Sequence, residues 1–333
     1  MKELKDAPVI IFGEALVDEF AQTKVVGGAP LNVARNLSLL HAHPLMLTRL
    51  GQDENGALIR EHMLQSGLSL AGLQIDAEHP SGQVRVTQND LHDLAKHEFH
   101  ILPDQAYDHV EVHAAQQAVT VFCGSAPKVI LYFGTLAQRA TQSRAALRNL
   151  LGRDGMLTYL DLNLRDGQFS DEVILFSLAN ADIVKLNEDE LQYVLSLNPD
   201  LGSSNAAVQL SAKILSLLAH FDLQAMIVTL GEKGYLYVDR CGAVVSSAAA
   251  AKKLNVVDTV GAGDAFSAVF LAGLIGGWPL ETTLARAHEF AGAVCGLRGA
   301  VATDKQFYAT RLQQWQLEDL RLRGSEKYTG EAI

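Results

Sequence analysis

Cysteine is scarce in this 333-residue chain. Cys123, Cys241 and Cys295 are odd in number, far apart and without a C-x-x-C pair, so neither a disulfide framework nor a structural zinc site is indicated. Long apolar runs are missing too. Nothing reaches the roughly eighteen residues that a membrane helix needs, and the N-terminal MKELKDAPVIIFGE lacks a secretory apolar core of proper length. The expectation is a soluble, cytoplasmic protein with no membrane partner. Positive charge is in deficit, with 27 Lys and Arg against 38 Asp and Glu and a net charge of −11. That balance argues against a nucleic-acid partner, while a local basic pocket for phosphates is still allowed. Two nucleotide signatures are also missing. No G-x-x-x-x-G-K-S/T occurs, and the first apolar run leads into GEALVD rather than G-x-G-x-x-G, which sets aside a P-loop kinase and a nicotinamide-dependent dehydrogenase.

What is present is enough apolar sequence, 48%, to bury a large core. Short β-branched or aromatic runs at Val9–Gly13, Pro44–Leu50, Val129–Gly134, Met156–Asn163, Asp182–Asn187 and Ala225–Leu230 read as strands. Between them, apolar residues recur at three and four near 30–40, 54–66, 139–151, 171–179, 205–219, 263–275 and 281–297, which predicts helices. Such alternation implies an α/β fold, a mostly parallel sheet flanked by helices on both faces, with ligands at the C-terminal ends of the strands. One region departs from it. Gln83–Thr87 and Glu98–Leu102 read as a hairpin. The tail RLRGSEKYTGEAI is polar and expected to be loosely ordered.

The chemistry concentrates in Asp258-Thr259-Val260-Gly261-Ala262-Gly263-Asp264-Ala265-Phe266. Gly261, Ala262 and Gly263 leave the start of an apolar helix open, and a helix start offers orphan N–H donors and about half a positive charge to an anion. Asp264, in the first turn, is suited to take a proton from a hydroxyl aimed at a phosphate there. The plainer reading is a capped helix behind a glycine turn.

This segment resembles the C-terminal signature of the ribokinase-like, or PfkB, carbohydrate kinases, and Gly27-Gly28-Ala29-Pro30-Leu31-Asn32-Val33-Ala34-Arg35-Asn36-Leu37 resembles their N-terminal one. Further matches are Gly51–Gly56, Asp161–Arg165, Lys185–Glu190 and Val228–Gly234, so the resemblance runs from about Val9 to about Thr303. It implies a single ribokinase-like domain over 1–333 with β-lid segments near 14–30 and 80–104. Only Glu19 to Val26 separate Asp18 from Gly27, a short connection, so the lid is expected to be reduced. A homodimer stays open.

The resemblance also implies roles. Asp264 is the catalytic base, Gly261, Ala262 and Gly263 are the anion turn, and Arg165 meets the transferred phosphate or the sugar. Asp18 and Asn32 suit sugar hydroxyls, which need donors and acceptors, with Gly28 as backbone clearance and Arg85, on the lid, as a further sugar-binding residue. Asn187 and Glu190 position hydrated Mg2+ and phosphate, although N-x-x-E at a helix start is equally a capping box. Thr229, Gly231, Gly234 and His288 fall at the ATP edge, His288 being also an ordinary amphipathic-helix residue. Asp258 resembles a ligand of the K+ ion that many members bind, with carbonyls near Val260, Val294, Leu297 and Gly299. His92, His97 and His100 straddle a turn without zinc-site spacing and read as solvated.

The expected activity is ATP-dependent phosphorylation of a terminal hydroxymethyl group. GEALVD, GGAPLNVARNL and SGQVRV resemble the fructokinase branch, so fructose is the first acceptor. A ribokinase, 2-keto-3-deoxygluconate kinase, nucleoside kinase or vitamin kinase of the same family stays open, as does a noncatalytic sugar sensor. The polar lid residues Arg85, Asp90 and His92 speak against a nucleoside.

Overall fold

Val9–Phe12 reads VIIF with every residue buried, which a strand achieves only inside a sheet covered on both faces. The computed structural model describes residues 4–88, 97–199, 210–247 and 256–329. That first strand, β1 (Val9–Phe12), is followed by β2 (Leu16–Glu19), β3 (Lys24–Gly27), α1 (Ala29–Leu39), β4 (Leu45–Gly51), α2 (Glu54–Gln65), β5 (Leu73–Asp76), β6 (Gly82–Gln88) and β7 (His97–Ile101). The middle of the chain alternates α3 (Val112–Cys123), β8 (Val129–Phe133), α4 (Thr141–Leu150), β9 (Met156–Asp161), α5 (Asp171–Ala179), β10 (Ile183–Asn187), α6 (Glu188–Ser196), α7 (Leu210–Phe221) and β11 (Ala225–Thr229). It closes with β12 (Tyr235–Asp239), β13 (Val244–Ser246), α8 (Ala262–Gly276), α9 (Leu280–Val294) and α10 (Lys305–Thr329).

Among the described residues, nine strands form one sheet in the order β13-β12-β11-β10-β9-β8-β1-β4-β5. All neighbours are parallel except the edge pairs β11–β12 and β12–β13. Period-2 alternation divides two cores. Val9 and Ile11 pack with Phe266, Phe270 and Phe290 of α8 and α9, while Ile10 and Phe12 pack with Val119, Leu147 and Leu178 of α3, α4 and α5. α8 is buried at every position from Asp264 to Leu274, as expected of a helix apolar all round. α9 approaches it closely at Gly273, where a Cβ would lie 2.3 Å from Thr283 Cγ2. No described helix is long and apolar enough to cross a membrane.

The lid is a second sheet, β3-β2-β6-β7, with β2 parallel to β6 and the other pairs antiparallel. The connection after Asp18, expected to be too short for further lid strands, makes the β2–β3 hairpin, closed by Phe20 N–H to Thr23 O at 2.9 Å. The lid therefore has four strands among the described residues.

The helices expected near 30–40, 54–66, 139–151, 171–179, 263–275 and 281–297 are present with small shifts at their ends. For 205–219, the part up to 209 lies outside the described residues, and α7 covers the rest. α3 was not expected. Its core stripe is Ala115, Val119 and Cys123, but valines on other faces, such as the exposed Val121, obscure the period. The polar tail, expected to be loosely ordered, continues α10 to Thr329.

Candidate active site

A cavity of about 390 Å³ opens at the C-terminal ends of β1, β9, β10 and β11, with the start of α8 on one side and the lid above. It brings together Asp18, Gly28, Asn32, Arg165, Asn187, Glu190, Thr229, Gly261, Gly263 and Asp264, residues drawn from nearly the whole length of the chain.

Its floor is the turn into α8. Gly261 caps the helix in the left-handed conformation, φ 79° and ψ 0°, and a Cβ there would lie 2.1 Å from Ala300 Cβ, so only glycine fits. Ala262 N–H turns back to Thr259 O at 3.3 Å, and the first bond along the helix is Ala265 N–H to Gly261 O at 2.8 Å. The N–H groups of Gly263 and Asp264 thus precede the intrahelical ladder, as an anion site requires. Asp264 is buried and accepts a hydrogen bond from Asn32 Nδ2 at 2.9 Å, which leaves Asn32 Oδ1 buried without a partner. Burial, reinforced by the charge of Asp161, pushes the Asp264 carboxyl up to about 6, against the pull of Asn32, Lys185 and Arg165. Gly28, at φ 103° before α1, allows the backbone to pass Glu14 O, 2.7 Å from where a Cβ would sit.

Behind the turn lies an ion pair that sequence reasoning missed. Lys185 and Asp161 face each other across β10 and β9, on the side of the sheet that packs α8. Lys185 Nζ donates to Asp161 Oδ1 at 2.7 Å with both side chains buried. Asp161 Oδ2 accepts from Ser267 Oγ at 2.9 Å and from Tyr132 Oη at 3.2 Å, and Tyr159 Oη lies 3.2 Å from Ser267 Oγ. Lys185 also borders the anion turn, since a Cβ on Gly263 would be 3.2 Å from Nζ. Both residues stood within quoted motifs. A lone lysine in a strand signals nothing until the neighbouring strand supplies its carboxylate.

Two further carboxyls line the cavity. Burial pushes Glu14 up to about 7, opposed by backbone hydrogen bonds at Glu14 and Ala29 and by the Arg165 charge. Burial likewise pushes Asp18 up to about 6, opposed by Arg165. Arg165 is exposed and forms no ion pair within 4 Å among the described residues, so its charge is shared by Glu14, Asp18 and Asp264.

Asn187 and Glu190 form a capping box at the start of α6: Glu190 N–H donates to Asn187 Oδ1 and Asn187 N–H to Glu190 Oε2, each at 2.9 Å. Glu190 Oε1 accepts from Leu164 N–H at 2.8 Å and so ties the loop after β9 to α6. Burial raises its carboxyl, with the Asn187 hydrogen bond and Lys185 opposing. Asp258 holds the anion turn, accepting from Val260 N–H at 3.0 Å and Gly299 N–H at 3.1 Å.

Other expected residues are not brought to the cavity. Gly231 and Gly234 lie in the β11–β12 turn, and His288 stacks edge-on against Tyr235 with ring centroids 5.7 Å apart, its pKa lowered by burial. Arg85 is exposed on the outer face of β6, because Val84 takes the inward position. The inner lid wall is apolar, made of Leu16, Val84, Phe99 and Ile101, rather than polar as expected; Asp90 and His92 lie outside the described residues.

A doubly covered parallel sheet, a ligand cavity at its strand ends, and a β lid over a carboxylate in the first turn of an anion-binding helix are the design of a small-molecule kinase of the ribokinase-like fold. Residues 3–306 match the family model described as pfkB family carbohydrate kinase. A fructokinase of Salmonella typhimurium is 26% identical over 312 residues, which span 89% of this chain and 94% of the relative. A crystal structure of fructokinase from Vibrio cholerae with fructose, ADP and calcium ion bound superposes with a TM-score of 0.74 at 21% identity, covering 92% of this chain and 99% of that one. Aminoimidazole riboside kinase from Salmonella enterica, complexed with its riboside and an ATP analog, follows at a TM-score of 0.71 and 23% identity, with the same coverage of both chains. The chain belongs to the pfkB family of carbohydrate kinases. It is a sugar kinase, a phosphotransferase with an alcohol group as acceptor, and its activity implies ATP and a divalent cation.

Proposed function

We propose that this enzyme transfers the γ-phosphoryl group of ATP to a terminal hydroxymethyl group, with fructose giving fructose 6-phosphate as the first acceptor. The observation that carries the reaction is the Asn32–Asp264 pair: a buried carboxylate at the start of α8, held at 2.9 Å by an amide whose own oxygen still lacks a donor. A sugar hydroxyl satisfies Asn32 Oδ1, and the neighbouring hydroxymethyl oxygen gives its proton to Asp264 as its new bond to phosphorus forms and ADP departs. Phosphoryl transfer is mainly alignment and charge neutralisation, and the N–H groups after Gly261, together with Lys185 and Arg165, supply that charge. Asp18 takes further sugar hydroxyls. Fructose stands first because fructokinases are among the relatives that cover most of the chain.

Glu190 and Asn187 fit a divalent cation through water. Each Glu190 oxygen has one backbone donor and keeps a lone pair, and magnesium retains most of its waters. When bound, the ion neutralises charge on the phosphates. A monovalent cation is proposed beside Asp258, whose carboxylate already organises the turn. Thr229 at the end of β11 borders the phosphate side of the cavity.

The test is coupled ADP release with ATP and Mg2+ against fructose, ribose, 2-keto-3-deoxygluconate, tagatose, inosine and adenosine, wild type beside Asp264→Asn. Saturable turnover of one sugar that falls by orders of magnitude in the variant is expected. Calorimetric sugar binding without turnover would make the protein a sensor. One observation favours a second reading, a riboside acceptor: the apolar lid wall, with Phe99 half-exposed toward the cavity, suits a flat base better than a second sugar face. Inosine turned over more efficiently than fructose would establish it.

A further inference from the structure

We propose that His79, Asp104 and His109 form a site for a divalent transition-metal ion of the zinc class at the root of the lid, outside the catalytic cavity. His79 precedes β6 and Asp104 follows β7, so the two stems of the lid hairpin meet here, and His109 ends the turn Ala106–His109 in the body below. One ligand atom from each of the three lies within 4.8 Å of the others. His109 Nε2 is 2.8 Å from Asp104 Oδ1, and His79 Nε2 is 3.8 Å from the same oxygen.

The outer hydrogen bonds fix what these nitrogens offer. Gln142 Nε2 donates to Glu111 Oε1 at 2.5 Å, which turns Gln142 Oε1 toward His109 Nδ1 at 3.1 Å. An amide oxygen only accepts, so Nδ1 is the donor here and Nε2 is the ring nitrogen left to a metal. His109 Nε2 stands 2.8 Å from Asp104 Oδ1, a contact that without metal is an N–H donating to the carboxylate and that a divalent cation lying between the two atoms would replace. His79 repeats the pattern: Nδ1 lies 3.1 Å from Asp76 Oδ2, which leaves Nε2 turned toward Asp104, 3.8 Å away. A ring whose second nitrogen donates to a carboxylate or carbonyl-type oxygen is the usual state of a metal-ligating histidine.

Two imidazoles and one carboxylate select zinc, cobalt, nickel or copper over magnesium or calcium, with water completing the shell. In a zinc shell the ligand atoms stand about 3.3 Å apart, as bonds of about 2.0 Å require. The two rings are stacked, with centroids 3.6 Å apart and planes 15° apart, so uptake requires them to splay until both lone pairs meet. The most exposed of the three is Asp104, whose side chain is 73% exposed and free to adjust. The stems are already joined by Ala106 N–H to Pro80 O at 2.8 Å and Gln83 N–H to Gln105 Oε1 at 2.8 Å, and the ion would pin them to the body.

The test uses tag-free, nucleotide-free protein carrying Cys241→Ser, which removes the exposed thiol, titrated calorimetrically with zinc chloride, with cobalt absorbance as a second readout. One ion per chain and a tetrahedral cobalt spectrum are expected. His79→Gln with His109→Gln should weaken zinc by about 100-fold or more, and Asp264→Asn should bind zinc like the parent. If the double variant does not fold, Asp104→Ala, at an exposed side chain, should weaken zinc by about 10-fold. Failure of the parent to take up zinc at millimolar concentration, or equal binding by these variants, overturns the site. Zinc should also slow amide exchange in residues 79–83 and 101–109; binding without that protection overturns the pinning.

Discussion

Replacing Asp264 by asparagine should make the protein more stable while abolishing turnover. The carboxyl stands at about 6 in the folded chain against an ordinary 3.8. A folded-state value above the unfolded one means that the native state holds the proton more tightly. The stability that goes with it is fully present below about pH 3.8 and is lost as pH rises through about 6. At pH 8 the ionised group therefore costs the native state about 3 kcal/mol, from about 2.2 units at about 1.36 kcal/mol each. Asparagine is neutral at every pH and keeps an oxygen for the Asn32 Nδ2 donor. With about 2.1 cal/mol/K of unfolding entropy per residue, the gain corresponds to a rise in Tm of about 4 °C at pH 8, shrinking toward zero at pH 4. Urea unfolding at pH 4, 6 and 8, with calorimetry at the same values, reads the difference directly. A variant no more stable at pH 8, or one whose gain is the same at all three pH values, would refute the assignment of a destabilised native carboxylate.

Four further outcomes are expected. The rate kcat/KM should rise with pH through about 6 as Asp264 ionises. Lys185→Met should move that midpoint upward, since Lys185 pulls the carboxyl down, and cost about 3–5 kcal/mol by leaving Asp161 buried and uncompensated; pH–rate profiles and urea unfolding separate the two effects. Gly261→Ala should reduce kcat about 100-fold or more by driving a Cβ into Ala300 at a left-handed residue, whereas Gly124→Ala, whose Cβ meets nothing within 4 Å, should leave kcat unchanged. Arg85→Ala should leave the sugar KM within about twofold, as surface changes do, while Asn32→Ala should raise it about 5- to 100-fold, the range for an unmade buried hydrogen bond; steady-state kinetics over a sugar series reads both.

The parallel sheet was legible because its strands are continuous apolar runs, and the floor of the cavity was legible because Gly261–Asp264 is a contiguous signal in which each residue type answers a backbone need. Arg85, expected to bind the sugar, does not line the cavity. Strand alternation would have corrected that expectation, since Val84 and Val86 claim the inner face and leave Arg85 outside. Glu14 stands in GEALVD beside Asp18 but gives no local sign of its burial. Lys185 and Asp161 could not be read as a pair without the register that sets β10 against β9. His79, Asp104 and His109 are farther still from legibility, because their spacing follows no helix or strand period and only the return of the lid to its root brings them together.

What sequence could not show of the cavity's carboxyls is their burial. A buried carboxylate is unfavourable unless paired, yet Glu14, Asp18 and Asp264 gather about one cavity where the exposed Arg165 acts on all three and Lys185, already paired with Asp161, acts on Asp264. Such a cluster lowers the stability of the empty protein above about pH 6, while burial and the charge of Asp161 lift Asp264 to where a base is strong enough to take a hydroxyl proton yet still ionised near neutrality. A residue kept for folding would have been held by its neighbours in the form that burial favours, whereas Asp264 is ionised near neutral pH at the expense of the fold. The gain must then come from chemistry, and the substitution that relieves the fold is the one that should end the reaction.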